Sequence, residues 1–181
     1  MRRCRSSLLK RSDWRVAIDR RGAATIEFAI CAATFFALLI GILQIAIVFF
    51  VQESVQTAAE TVARKVLTGQ IAPGTTQEQF RTQSCGYLPA FLKCSDLYVD
   101  MRKVADLGDA GAVTGGVRFD SSGKLENTTR FEPAGSGDLV VLRLLYRWPM
   151  GMLPLGLDLR NQGDGSRTIV GTMVFKSEPY A

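Results

Sequence analysis

Hydrophobic and polar positions divide this chain into three regimes. From Phe28 to Gln52 there are 25 residues without a charge, FAICAATFFALLIGILQIAIVFFVQ, bounded by Glu27 and Glu53. At about 1.5 Å per residue, roughly 20 residues cross a hydrocarbon core of about 30 Å, so this run predicts a single transmembrane helix. The helix continues past it. Val55, Ala58, Ala59, Val62, Ala63, Val66 and Leu67 recur at the spacing of one helical stripe, while Gln56, Glu60, Arg64 and Lys65 fill much of the opposite side. Gly69 is the expected C-cap and Pro73 bars continuation, which predicts one helix over residues 23–67. Its outer half is amphipathic, so another layer must cover it.

Beyond Gln70 the period changes. A short helix is predicted from Thr76 to about Ser84, followed by three strands. The first is Leu97–Val104. The second, Leu139–Trp148, places Val140, Leu142, Leu144, Tyr146 and Trp148 on one side and Arg143 and Arg147 on the other, with Pro149 as its stop. In the third, Thr168–Lys176, Ile169, Met173 and Phe175 alternate with Thr172 and Lys176. Segments 108–116, 134–138 and 161–165 read as turns. No crossover of helical length separates the last two strands, so an antiparallel meander is expected. The predicted class is α+β: one long N-terminal helix packed on a small three-stranded antiparallel sheet. Its parts are a basic cytoplasmic leader over 1–22, the long helix over 23–69 with a membrane span at about 28–52, and a periplasmic α+β domain over 70–181.

Charge refines this organisation. The chain of 181 residues is formally +5, but residues 1–22 hold eight positive and two negative side chains and are +6 by themselves. The other 159 residues carry 14 positives and 15 negatives, so the basic balance marks a tail and not a nucleic-acid-binding domain. Eight Lys and Arg precede the span and only Arg64 and Lys65 follow closely, which predicts a cytoplasmic N-terminus and an outer domain across the membrane. A cleaved secretory signal is the alternative. Its apolar region is about 7 to 15 residues and ends at a small-x-small site, unlike this longer run.

Candidate chemistry is sparse. The sequence has no histidine, which removes the usual general base and the commonest zinc ligand, and no enzyme activity or cofactor is expected. Residues 108–116, GDAGAVTGG, lack the order of a dinucleotide loop, and Ser122-Gly123-Lys124 lacks the rest of a phosphate loop. Asp106 and Asp109 form a conceivable calcium or acid-base pair, with turn chemistry as the plainer reading. Of four cysteines, Cys4 falls in the tail and Cys31 in the span. Cys85 and Cys94 remain in the outer domain, where a bridge between them is expected and two unpaired buried thiols are the alternative. With no CxxC pair, no metal site is expected.

The junction of tail and helix is the most specific feature. It reads Arg20-Arg21-Gly22-Ala23-Ala24-Thr25-Ile26-Glu27-Phe28. It resembles the class III leader of type IV pilin-like proteins, and the Glu-aromatic pair Glu27-Phe28 resembles that of the tight-adherence (Tad, or Flp) branch. With a larger outer domain, Tyr146-Arg147-Trp148-Pro149 and a terminal Glu178-Pro179-Tyr180, the chain is similar to the TadE-like minor pseudopilins of that system. The resemblance is strongest from Arg20 to about Lys65 and diffuse beyond. It implies cleavage by a prepilin peptidase between Gly22 and Ala23, and subunit contacts through Glu27 and Phe28. It also implies partners: the major pilin, other minor pseudopilins and an inner-membrane assembly platform, besides the lipid bilayer. Ala23 stands where other type IV pilins commonly carry an N-methylated aromatic, a departure that bears on methylation. Physics adds a reason for cleavage: it removes Arg20 and Arg21 and leaves an ammonium at Ala23 that a neighbour's Glu27 can neutralise. A permanently anchored periplasmic binding or envelope protein is the alternative function, and a membrane-tethered enzyme a third.

Overall fold

The computed structural model describes residues 22–71, 74–113, 120, 129–151, 156 and 158–177. The leader before Gly22, Cys4, Ser122-Gly123-Lys124 and the terminal Glu178-Pro179-Tyr180 lie outside the described residues. The first element, α1, is a helix of 45 residues from Ala23 to Leu67, with the bounds that the apolar run and the stripe predict. Its end is a Schellman motif. Gly69 takes a φ of 69°, its N–H donates to the Val66 carbonyl, and the Gln70 N–H donates to the Lys65 carbonyl. Glycine is needed there because the left-handed conformation is costly for a residue with a Cβ.

A second helix, α2, runs from Gln77 to Cys85 behind a full capping box, in which Thr76 and Gln79 each accept a hydrogen bond from the other's backbone. The sheet is β1 (Leu97–Val104), β2 (Leu139–Pro149) and β3 (Ser166–Lys176), antiparallel in the order β1-β2-β3. Register follows the alternation: Val99 pairs with Leu144 and Leu144 with Gly171, while Met101 pairs with Leu142 and Leu142 with Met173. The face carrying these residues packs on the outer half of α1. Val51, Val55, Ala58, Ala59, Val62 and Val66 of the helix meet Leu97, Leu142, Leu144, Ile169 and Phe175 of the sheet in one core, which Phe80 of α2 also joins. The expected α+β class is the one observed.

Three local expectations change. β3 begins at Ser166, because Asp164 accepts both the backbone N–H and the hydroxyl of Ser166 and so pins the strand start. Pro149 closes β2 from within, opposite Ser166, as a strand's terminal residue can since no ladder donor is required of it. The glycine-rich stretch after Asp106 is not a turn throughout: Leu107–Val113 forms a one-to-two-turn helix, α3. There Asp106 accepts from the Asp109 N–H at 2.8 Å, so its carboxylate serves as a local cap, in keeping with the plainer of its two readings.

The helix and sheet come unusually close at one point. A Cβ built on Gly171 would lie 2.7 Å from the Val55 carbonyl oxygen and 3.1 Å from the Ala59 Cβ. Only the absence of a side chain lets α1 lie directly on β3. Beside this crossing, Gln56 is not on a solvated face as the stripe suggests. Its amide accepts from the Thr172 N–H at 3.0 Å and donates to the Thr172 carbonyl at 3.3 Å, acting as a stretch of backbone along the edge of β3. Gln52 donates to the Val170 carbonyl at 2.9 Å. The outer edge strand is thereby partly covered by side-chain amides of the helix.

Candidate functional site

The predicted junction lies at the free end of α1, away from the sheet. Gly22, Ala23, Glu27 and Phe28 are all exposed, Phe28 by 73%. Gly22 occupies the N-cap with φ −95° and ψ −6°, and supplies no side-chain cap. A Cβ at this position would meet nothing within 4 Å. Neither backbone conformation nor space requires glycine here, and Ser or Asn would cap the helix better. Ala23 opens the helix, and Glu27, four residues on, lies on the same face one turn away.

From Ile26 to Phe50 every Ile, Leu and Phe of α1 stays exposed, Ile42 by 67% and Phe49 by 69%, while Val48 is already buried. Among the described residues this is the helix long and apolar enough to cross a membrane. From Val51 onward the same helix has a buried face: Val51, Val55, Ala58 and Ala59 are fully covered. The change from exposed to buried happens within one continuous helix, so the sheet covers one half and leaves the other to a second medium or to other helices.

In the outer domain Cys85 and Cys94 are joined by a disulfide, with Cα atoms 5.6 Å apart, as their placement predicts. Cys85 ends α2, Cys94 starts a single 3-10 turn, and the loop between them folds Leu92 into the core. The Tyr146 hydroxyl accepts from the Lys93 N–H at 2.9 Å and ties this loop to β2, and burial pushes the Tyr146 hydroxyl above its ordinary pKa. Cys31 is a free, exposed thiol on α1.

The remaining polar groups are occupied structurally. Asp100 is fully buried on the far face of the sheet and accepts from the Arg143 guanidinium of the facing strand, from Arg102 Nε at 3.0 Å and from the Arg130 N–H at 2.7 Å. The alternation of β1 and β2 puts both charges on one face, yet sequence reasoning did not find the pair; opposite charges at facing strand positions were the signal. Three loop carboxylates are shifted by close partners. The Lys103 ammonium, 2.7 Å away, holds Asp138 below the ordinary range, and Arg160 lowers Asp158 to about 2. For Asp164, burial raises the pKa, but hydrogen bonds from Ser166 and the Arg147 guanidinium outweigh it and the net direction is down. A cavity of about 240 Å³ between the end of α1 and β1 is lined by Val66, Phe80, Met101, Phe131 and Ala134, with no titratable side chain among its walls. No group of three or more His, Cys, Asp or Glu occurs among the described residues.

The geometry thus concentrates unexplained features at the N-terminal half of α1, and the comparisons with known proteins fall on the same stretch. Residues 22–64 match the family model described as TadE-like protein. No curated protein and no solved structure matches the chain. The matched stretch starts at Gly22 and follows α1 nearly to its end, while the sheet lies outside it.

Proposed function

We propose that this chain, whose residues 22–64 match the family model of TadE-like proteins, is a non-enzymatic minor pseudopilin that assists assembly or priming of a tight-adherence pilus. The observation that carries this reading is Gly22. Among the described residues neither its ordinary backbone angles nor its surroundings call for glycine, whereas a peptidase that needs an unhindered residue before the scissile bond would. In this reading the leader is cut after Gly22 and Ala23 becomes the mature N-terminus. The +6 leader holds the N-terminus in the cytoplasm before cleavage, and residues 70–181 lie in the periplasm. The exposed apolar half of α1 first faces the lipid of the bacterial inner membrane and then packs against the major pilin and other minor pseudopilins at the assembly platform. Glu27 and Phe28 make subunit contacts, with the carboxylate meeting the new ammonium at Ala23 of a neighbour.

The test is the N-terminal residue and intact mass of the protein purified from the membranes of cells that contain the peptidase. The mature chain is expected to begin at Ala23, and Gly22→Trp is expected to leave the leader attached while the outer domain folds normally, since position 22 is open. Full-length wild-type protein in piliated cells would favour the permanently anchored envelope protein instead.

A further inference from the structure

The 25-residue uncharged run is about 38 Å long as a helix, several ångströms more than a hydrocarbon core of about 30 Å requires. The outer domain resolves where the excess lies. The end of β2 does not stop level with Gln52 but continues along the span: Trp148, Pro149 and Met150 line a groove of about 200 Å³ with Gln44, Ile47 and Val48. On the disulfide-closed loop, Phe91 stacks on Phe50, with ring centroids 6.0 Å apart and 53% of Phe91 still exposed. The domain therefore overlaps the last two turns of the apolar run and presents aromatic side chains beside them. From Ala23 to Gln44, clear of this overlap, the helix measures about 33 Å, which matches the hydrocarbon thickness.

We propose that the membrane-proximal end of the outer domain is itself a lipid-binding surface. Phe91, Trp148 and Met150 sit in the outer headgroup and upper acyl region of the bilayer, and the hydrocarbon boundary lies at Gln44–Val48 and not at Gln52. The occupant is phospholipid because this surface is continuous with the exposed apolar helix, from Ile45 and Ile47 through Phe50 to Phe91. Amphipathic aromatic rings such as Trp are favoured at this depth, and a fully aqueous Phe91 and Phe49 would leave a large apolar patch in water. The disulfide then has a use besides stability: it holds Phe91 at a fixed height on the helix. The position of Glu27 follows, about 26 Å below Gln44 and so about one helical turn inside the inner edge of the hydrocarbon.

This rests on the membrane-anchored reading, and the experiment separates the two. The sequence has two Trp residues, so full-length protein carrying Trp14→Phe has Trp148 as its sole indole. It is reconstituted at low protein density into phosphatidylethanolamine and phosphatidylglycerol vesicles, and flotation reads the anchor. Trp148 emission is then measured with lipids brominated near the carbonyl end or near the acyl terminus, and with aqueous acrylamide. The expected result is flotation, a blue-shifted emission, and greater loss to shallow bromolipids than to deep ones or to acrylamide. A second protein with Trp14→Phe, Trp148→Phe and Phe91→Trp is expected to show the same order. Flotation with emission quenched by acrylamide and by neither bromolipid overturns the proposal and leaves the anchor standing. Flotation with emission shielded from all three quenchers overturns it in favour of cover by protein. Failure to float overturns both readings.

Discussion

Glu27 lies one helical turn beyond Ala23, so in the proposed mature chain its carboxylate is the nearest counter-charge to the Ala23 amine. If its only task is to sit near the positive end of the helix dipole, Glu27→Gln loses a few tenths to about 1 kcal/mol in a helix already held by the bilayer and is nearly silent. Pairing across a subunit contact has a different consequence, because removing one partner leaves a buried charge alone and costs about 3 to 5 kcal/mol. The expected outcome is loss of piliation and of crosslinking to the major pilin at wild-type protein level, with insertion and cleavage unchanged. Normal piliation would return Glu27 to the dipole role. Asp100 is the contrasting acid. Its two oxygens are met by Arg143, Arg102 and the Arg130 N–H inside the sheet, which fixes how β1 and β2 face each other and leaves it nothing to offer a ligand.

At the scale of elements, the crossing of α1 over β3 depends on a missing side chain. Gly171→Ala puts a methyl 2.7 Å from a helix carbonyl, and since both contacts are helix backbone or its Cβ, the helix must lift. Overpacking of this kind costs about 1 to 3 kcal/mol, to be read as a lowered midpoint of denaturant unfolding followed by sheet circular dichroism. A wild-type midpoint would mean that the helix is not pressed onto the strand. The disulfide acts on a different element, the loop from Gly86 to Lys93. In the chain-entropy account closing a loop of this size is worth about 2 to 3 kcal/mol. Cys85→Ser with Cys94→Ser is expected to lower stability by that amount, and thiol labelling of unreduced wild-type protein is expected to find no free thiol in the outer domain. Reactive thiols there would refute the bridge.

For the whole molecule, the balance of charge sets its acid limit. Asp138, Asp158 and Asp164 each have a pKa in the folded protein below the ordinary 3.8. A depressed folded value means that the unfolded chain takes up protons first as the pH falls. The stability these pairs contribute is therefore complete above about pH 4 and is lost as the pH drops through the folded values, about 2 for Asp158. Thermal midpoints of detergent-solubilised protein should be level from pH 7 to about 4 and fall below it. A midpoint unchanged to pH 2 would show that these ion pairs do not stabilise the fold. Since Asp158 and Asp138 are on exposed loops, salt should weaken the effect.

The length and bounds of α1, the place of the three strands, their antiparallel class and the proposed leader junction could all be read from the sequence. Each rests on local chemistry: an uncharged run, an alternation of period two, a glycine before a lone glutamate. The Cys85–Cys94 bridge was legible too, because compartment and position left those two cysteines together. What local chemistry does not carry is which polar side chain meets which distant backbone. Gln56 looks like an ordinary solvated glutamine until β3 is laid beside it, 116 residues away in sequence. Gly171 is an unremarked glycine until a helix presses on it, and Asp100 needs Arg143 across the ladder before it is a buried pair. The same holds for the proposed membrane boundary. The apolar run defines a helix segment of fixed length, but only the packing of Trp148 and Phe91 against its outer turns decides how much of that length the fold leaves uncovered on all sides.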